Sequence, residues 1–333
     1  LHHPLFVFAR HISLTELSKV FSFFLFLITL IISYFSYKYI ETTFRNPFTY
    51  GRKYILFILL CSFTLVLFGL NGYLNSGYPT RIPNEVIELD RVSSIYELNR
   101  DDGGCNLHKD QTKPSFCIRG DVSKIPKYAL VGDSHAASLS LELDRAMNEL
   151  GISFIQFTKN GCPLSFTLQS KSMENCGLYM KNVFQSLNDQ QIETVIIAAR
   201  WSYYLTDENF SNKEGGIEIR SRDTRYTSAD LGFETDVSIR RSAILREYYE
   251  AVNHLLKTKK VILIYPIPEQ GWDVPKLMAK KAFISNSKSS DFGVNSNLIR
   301  NRNREVTELF DNLTTYDNFH KINPYDIFCD SFI

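Results

Sequence analysis

The hydrophobic pattern divides the chain into two unlike parts. Val20–Tyr37 is an uncharged run of 18 residues, VFSFFLFLITLIISYFSY. That is about the shortest helix that crosses a hydrocarbon core of roughly 30 Å. Tyr54–Thr80 also carries no charge, and its centre reads YILFILLCSFTLVLFGL. Only 16 residues separate the runs, which predicts two membrane spans rather than two soluble core helices. Neither run ends in a small-residue cleavage pattern, so a cleaved leader is not expected.

Beyond Thr80 the pattern changes. Arg81–Lys127 is polar and rich in Gly, Asp and Pro, and reads as a linker and lead-in. Short apolar strands then alternate with helical spacing. Tyr128–Val131, Ile152–Phe157, Thr194–Ala199 and Val261–Tyr265 read as strands, and Lys321–Phe328 as a last strand-like run. Ala136–Leu150, Leu178–Asn188, Val237–Lys257 and Asn297–Leu313 read as helices. This alternation predicts an α/β fold, a parallel sheet flanked by helices and preceded by two transmembrane helices. Ser202–Thr235 is charged and reads as a surface insertion. The expected organisation is a membrane part at 1–80, a lead-in at 81–127 and an α/β domain at 128–333.

Charge gives the membrane part a direction. Up to Thr80 there are 6 Lys/Arg and 2 Asp/Glu; beyond it there are 31 and 34. Net charge is +1, which argues against a nucleic-acid partner. The loop between the spans holds Lys38, Arg45, Arg52 and Lys53 against one acid, Glu41. The positive-inside rule puts that loop in the cytoplasm and everything after Thr80 on the outer face, the periplasm or exterior of a bacterial cell. The cysteines fit an oxidising outer compartment. Cys105 with Cys117 and Cys162 with Cys176 would close short loops as disulfides. A zinc site is the rival reading, but no C-x-x-C pair or matching His spacing supports it. No bound metal or cofactor is expected.

The strongest chemical feature is Tyr128-Ala-Leu-Val-Gly-Asp-Ser-His135, a strand running straight into a helix. Ser134 falls at the helix N-terminus, where free N–H groups and the dipole favour negative charge. An isolated Asp-Ser pair there would serve as a helix cap. The G-D-S-H block after an apolar strand, however, resembles the first block of the SGNH hydrolase family. The resemblance implies that Ser134 is the nucleophile and that its N–H contributes to an oxyanion hole. The second block implies Gly161, in Asn160-Gly161-Cys162-Pro163, as a further oxyanion donor. The third block departs from the family's G-x-N-D. The strand ends in Ala198-Ala199-Arg200-Trp201, leaving Arg200 as the candidate donor. Arg200 could equally hold a substrate anion, and Trp201 could stack on a sugar or simply pack.

The family's last block is D-x-x-H, the base that activates the serine and its orienting acid. Asp317-Asn318-Phe319-His320 matches the letters but precedes the last strand-like run instead of following it. The reading here is that the true pair lies outside the 333 residues, with Asp317 and His320 as the fallback. His135, His108 and His254 fit the role less well.

The membrane part carries a second resemblance. Ser36-Tyr37-Lys38-Tyr39-Ile40-Glu41-Thr42-Thr43-Phe44-Arg45 resembles the S-Y-x-x-x-E-x-P-x-R string after the last span of the membrane acyltransferase-3 family, with Thr43 replacing its Pro. Leu1-His2-His3-Pro4-Leu5 resembles the tail of that family's Y-L-W-H-x-P-L segment. The combination, together with Y-P-I-P-E at 265–269, resembles cell-envelope polysaccharide O-acetyltransferases of the lipopolysaccharide O-antigen type. This implies acetyl transfer from cytoplasmic acetyl-CoA, through an ester on Ser134, to a glycan hydroxyl at the bacterial inner membrane. It also implies missing upstream spans, a chain that is a C-terminal fragment, and no activity from the fragment alone. An outer-face carbohydrate esterase and a non-catalytic, membrane-anchored glycan-binding domain are the alternatives.

Overall fold

A computed structural model describes residues 2–13, 17–42, 52–101, 104–108, 111–171, 175–218, 224–285 and 293–329. Arg45 of the membrane-part motif lies outside them. The chain forms two compact units, residues 1–93 with 273–292, and residues 94–272 with 293–333.

In the first unit, α1 (His2–Ile12) precedes α2 (Lys19–Phe35), which continues as a π-helical turn over Ser36–Glu41. Next comes α3 (Arg52–Leu74). Among the described residues two helical stretches are long and apolar enough to cross a membrane. They are Lys19–Glu41 and Ile55–Leu74, with mean hydropathies of 2.1 and 2.3. Their large apolar side chains point outward (Leu65, Phe68). In water that would be costly at ~25 cal/mol per Å² of exposed apolar surface.

The lead-in departs from the linker expected of its composition. It begins as a helix, α4 (Asn84–Asp101), whose Glu, Leu and Arg content suits helix despite few apolar positions. Then β1 (Asn106–Leu107) and β2 (Cys117–Gly120) join the main sheet, tied together by the Cys105–Cys117 disulfide.

The second unit continues with β3 (Tyr128–Gly132), α5 (Ser134–Glu149), β4 (Ser153–Lys159), β5 (Gln169–Ser170), α6 (Cys176–Asp189) and β6 (Thr194–Ala198). A 3₁₀ turn at Trp201–Leu205 leads to β7 (Phe210–Ser211), β8 (Ile217–Glu218) and β9 (Tyr226–Thr227). Next come α7 (Val237–Leu256) and β10 (Lys260–Ile264). Helix α8 (Val274–Ser285) belongs to the first unit, where Lys280 Nζ donates to the Arg10 carbonyl at 2.8 Å. The chain closes with α9 (Ser296–Asp311), β11 (Phe319–Ile322) and α10 (Pro324–Phe328). The expected strand at Lys321–Phe328 is thus half helix. Pro324 fixes a helical φ at the first position, and Asn323 caps it.

The main sheet runs in the order β1-β4-β3-β6-β10-β11, with β2 antiparallel on β4 and the other pairs parallel. The chain leaves β3 for β4 on one side and then crosses to β6 on the other. Such a switch point is where open parallel sheets bind ligands, at the carboxyl ends of the strands. The apolar runs of β3, β6 and β10 put Val131, Val195, Ile197 and Leu263 wholly out of water, each worth about 1.5–3 kcal/mol. Helices α6, α7 and α9 cover one face, through Val183, Val252 and Phe310; α5 covers the other, through Ala136 and Met147.

The segment read as a surface insertion is not one. Ser202, Tyr204, Phe210, Asn212, Tyr226 and Thr227 are buried in it. Several of its buried polar side chains are bonded: Ser202 Oγ donates to Asn303 Oδ1, and Asn212 Oδ1 accepts from the amides of Glu214 and Gly216. Polar groups with such partners enter a core that hydropathy alone excludes.

Candidate active site

Gly132 ends β3 and brings two strands unusually close. A Cβ there would lie 1.8 Å from the Ala198 carbonyl oxygen on β6. This close approach, rather than the tight turn that its position suggests, is why the residue is glycine. Asp133 follows, fully buried, as the N-cap of α5. Its Oδ1 accepts the His135 amide at 2.7 Å, a cap worth about 0.5–2 kcal/mol. Its Oδ2 accepts the Arg200 amide at 2.9 Å and the Tyr204 hydroxyl. Burial and then Asp133 raise the Tyr204 hydroxyl well above the usual tyrosine value, so it stays a donor. One carboxylate thereby joins the end of β3, the first turn of α5 and the segment after β6. Ser134 is the first residue of α5, half-buried at its positive end.

Register places the other candidates. Gly132 pairs with Thr158 on β4 and with Ala198 on β6. Ser134, Asn160 and Arg200 therefore each lie two residues beyond a shared level, on neighbouring strands spaced about 4.8 Å apart. Gly161 occupies the third position of a turn closed by Cys162 N donating to the Lys159 carbonyl at 3.1 Å, with a left-handed φ of +66°. The turn is anchored on both sides. Asn160 N donates to the Leu107 carbonyl at 2.9 Å, and Asn106 Nδ2 donates to Asn160 Oδ1 at 2.8 Å. The Cys162–Cys176 disulfide then ties it to the start of α6. Ser134, Gly161 and Arg200 thus share the carboxyl edge of the sheet.

The Arg200 guanidinium is already engaged. Nε donates to Glu269 Oε1 at 2.6 Å, Nη2 donates to Glu218, and the group lies 4.4 Å from the centre of the Tyr203 ring. The other Glu269 oxygen accepts from Arg302. The result is a continuous chain, Glu218–Arg200–Glu269–Arg302. Burial works to raise the Glu269 carboxyl, but the two arginines outweigh it and hold it below the usual carboxylate value. His135, beside Ser134, is pushed below the usual histidine value by burial. The Asp133 charge opposes that shift and Arg200 adds to it. Trp201 is wholly buried against Tyr248 and Phe310, with Nε1 donating to the Ile264 carbonyl at 2.9 Å. It packs, and offers no platform to a sugar.

Asp317 and His320 are not brought to this edge. His320 is the second residue of β11, level with Ile262, Ile196 and Leu130 on the strands between it and β3. It stands three strand spacings away, about 14 Å, and four residues back from Ser134, about 13 Å more along the strands. Asp317 lies in the turn before β11. A Ser–His contact is impossible over that distance. His254, on α7, has its ring against Phe166 and Phe184. His108 does lie on the site's edge, its Nδ1 3.0 Å from Asn160 Nδ2.

The profile of a family described as an SGNH domain fused to AT3 domains matches residues 101–332. The chain belongs to that family. Membership puts its SGNH domain among acyl-transferring or ester-hydrolysing proteins. Among solved structures the chain is similar to the periplasmic domain of the Salmonella ser. Paratyphi A lipopolysaccharide acetyltransferase. The two are 17% identical over 73% of this chain and 82% of that one, with a TM-score of 0.44. No curated protein matches the sequence.

Sequence reasoning missed Tyr204, Glu218, Glu269 and Arg302 at this SGNH site. Glu269 sits in the Y-P-I-P-E run directly after β10, and position at a strand's carboxyl end was the available signal. Tyr204 and Glu218 come from the segment read as surface, where nothing in the letters marks burial.

Proposed function

We propose that the protein transfers an acyl group, acetyl in the favoured reading, to a hydroxyl of a cell-envelope glycan on the outer face of a bacterial inner membrane. One arrangement carries this reading. Ser134 starts a helix on the carboxyl edge of the sheet, level with the Gly161 turn on one side and Arg200 on the other. A serine at such a point attacks an acyl carbonyl while a general base takes its proton, and fixed N–H groups stabilise the oxyanion. The bond between the acyl group and its carrier breaks as the serine ester forms, and the carrier leaves with the proton taken from Ser134. The glycan hydroxyl then takes the acyl group, and Ser134 regains a proton. Cytoplasmic acetyl-CoA is the source of the acyl group in this reading, and the group is passed across the membrane before Ser134 accepts it. Two apolar helices in the same chain favour transfer across a membrane over simple hydrolysis.

The test is Ser134→Ala in the protein in its own cells, with O-acetyl groups on the extracted envelope polysaccharide counted by NMR. Transfer is supported by their loss, at least tenfold, at unchanged protein level. Higher O-acetylation in the variant cells points to an esterase. Unchanged O-acetylation overturns the role of Ser134.

A further inference from the structure

Beside the site lies a groove that no step of the chemistry above uses. It encloses about 400 Å³ between the Trp201–Leu205 turn, the segment from Thr206 to Lys213, the start of α7 and the first half of α9. That volume falls within the ~300–1,000 Å³ range of small-molecule sites. All four walls stand at the carboxyl edge of the sheet. The turn follows β6, α9 follows β10, and α7 runs from this edge down to the start of β10. Arg302 belongs to both places: it lines the groove and donates to Glu269, whose other oxygen holds Arg200.

We propose that this groove binds the acceptor saccharide, laying its chain against α9 so that a hydroxyl reaches Ser134. The inference rests on the acyl-transfer reading above. The chemistry of the walls selects the ligand class. One guanidinium–carboxylate pair lines the groove, Arg241 with Glu305 at 3.2 Å, and a second lining guanidinium, Arg302, is held from behind by the buried Glu269. Each arginine is held a second time. Arg302 lies 4.7 Å from the centre of the Phe210 ring, and Arg241 Nε donates to the Leu205 carbonyl at 3.2 Å. The Arg241–Glu305 pair presents a donor and an acceptor side by side, which matches neighbouring hydroxyls of a sugar ring. A phosphate or carboxylate ligand is a poor fit at the two guanidiniums, because both already face carboxylates; Lys213 is the remaining cation of the lining. An acyl chain is a poor fit as well, because Glu208, Ser211 and Asn301 stand exposed on the walls.

The experiment measures binding without turnover. The full chain in detergent is titrated with base-treated, ester-free envelope polysaccharide from the protein's own cells, and Kd is read by calorimetry. Asn301→Trp and Ser211→Trp each fill the groove from a different element, so misfolding of one, seen by circular dichroism, leaves the other as the test. Kd is expected to rise at least tenfold. Kd within twofold of the unsubstituted chain in the folded variants, or no binding by the unsubstituted chain, overturns the groove. The two readings fail separately. Unchanged O-acetylation in Ser134→Ala cells, alongside groove-dependent binding, removes the catalytic reading and leaves the saccharide site. Lost O-acetylation with an unmoved Kd does the reverse.

Discussion

Glu269 and His135 respond to acid in the same sense, for different reasons. Glu269 is held below its ordinary value of about 4.5 by two arginines, against burial. His135 is held below about 6.5 mainly by burial. For a group whose folded value is depressed, the unfolded chain binds the proton more tightly. The stabilisation is complete above the unfolded value and is lost as pH falls through the folded one. His135 therefore begins to destabilise the domain just below pH 6.5, and Glu269 only below the ordinary carboxylate range. We expect His135→Asn to flatten the fall in Tm just below pH 6.5, by thermal shift in detergent. Glu269→Gln leaves Arg200 and Arg302 facing one neutral amide. It should cost about 3–5 kcal/mol at neutral pH and lose the steep acid limb. A His135→Asn profile that tracks the parent chain would contradict the account. The shared placement of Ser134, Gly161 and Arg200 was legible in the sequence because each follows a recognisable apolar strand. Their supports were not, because a hydrogen bond between residues 71 positions apart, such as Tyr204 to Asp133, leaves no local pattern.

Among the elements, the strands with continuous apolar runs were read almost to their ends, since only a sheet covered on both faces calls for such runs. Two of the failures share one cause. Helix α4 and the strands β7 to β9 are polar segments whose fate depends on tertiary partners rather than on period. The turn after β4 is the element on which the site most depends. It is fixed by a glycine with positive φ, by asparagine bonds to β1 and by the Cys162–Cys176 disulfide, which closes a 14-residue separation. Replacing both cysteines by serine should lower domain stability by about 2–4 kcal/mol, seen as a lower denaturation midpoint by tryptophan fluorescence. Trp201 lies wholly buried and reports the core directly. A midpoint equal to that of the parent chain would show the turn to be held without the bridge.

At the scale of the molecule, hydropathy and loop charge assign each unit an environment. The proposed orientation sets the loop between the two apolar helices in the cytoplasm and the sheet outside. In spheroplasts of a Cys61→Ser, Cys329→Ser chain, a membrane-impermeant maleimide should label a cysteine placed at Lys213 and spare one placed at Lys53. The opposite pattern would reverse the topology and remove the glycan reading with it. Asp133 has a consequence at this scale too. It is at once the helix cap beside Ser134 and the acceptor for a backbone amide and a phenol of the segment after β6. The segment carrying Ser134 and the segment carrying Tyr204 are therefore matched parts, and a swap of one of them between relatives should fail where a paired swap succeeds.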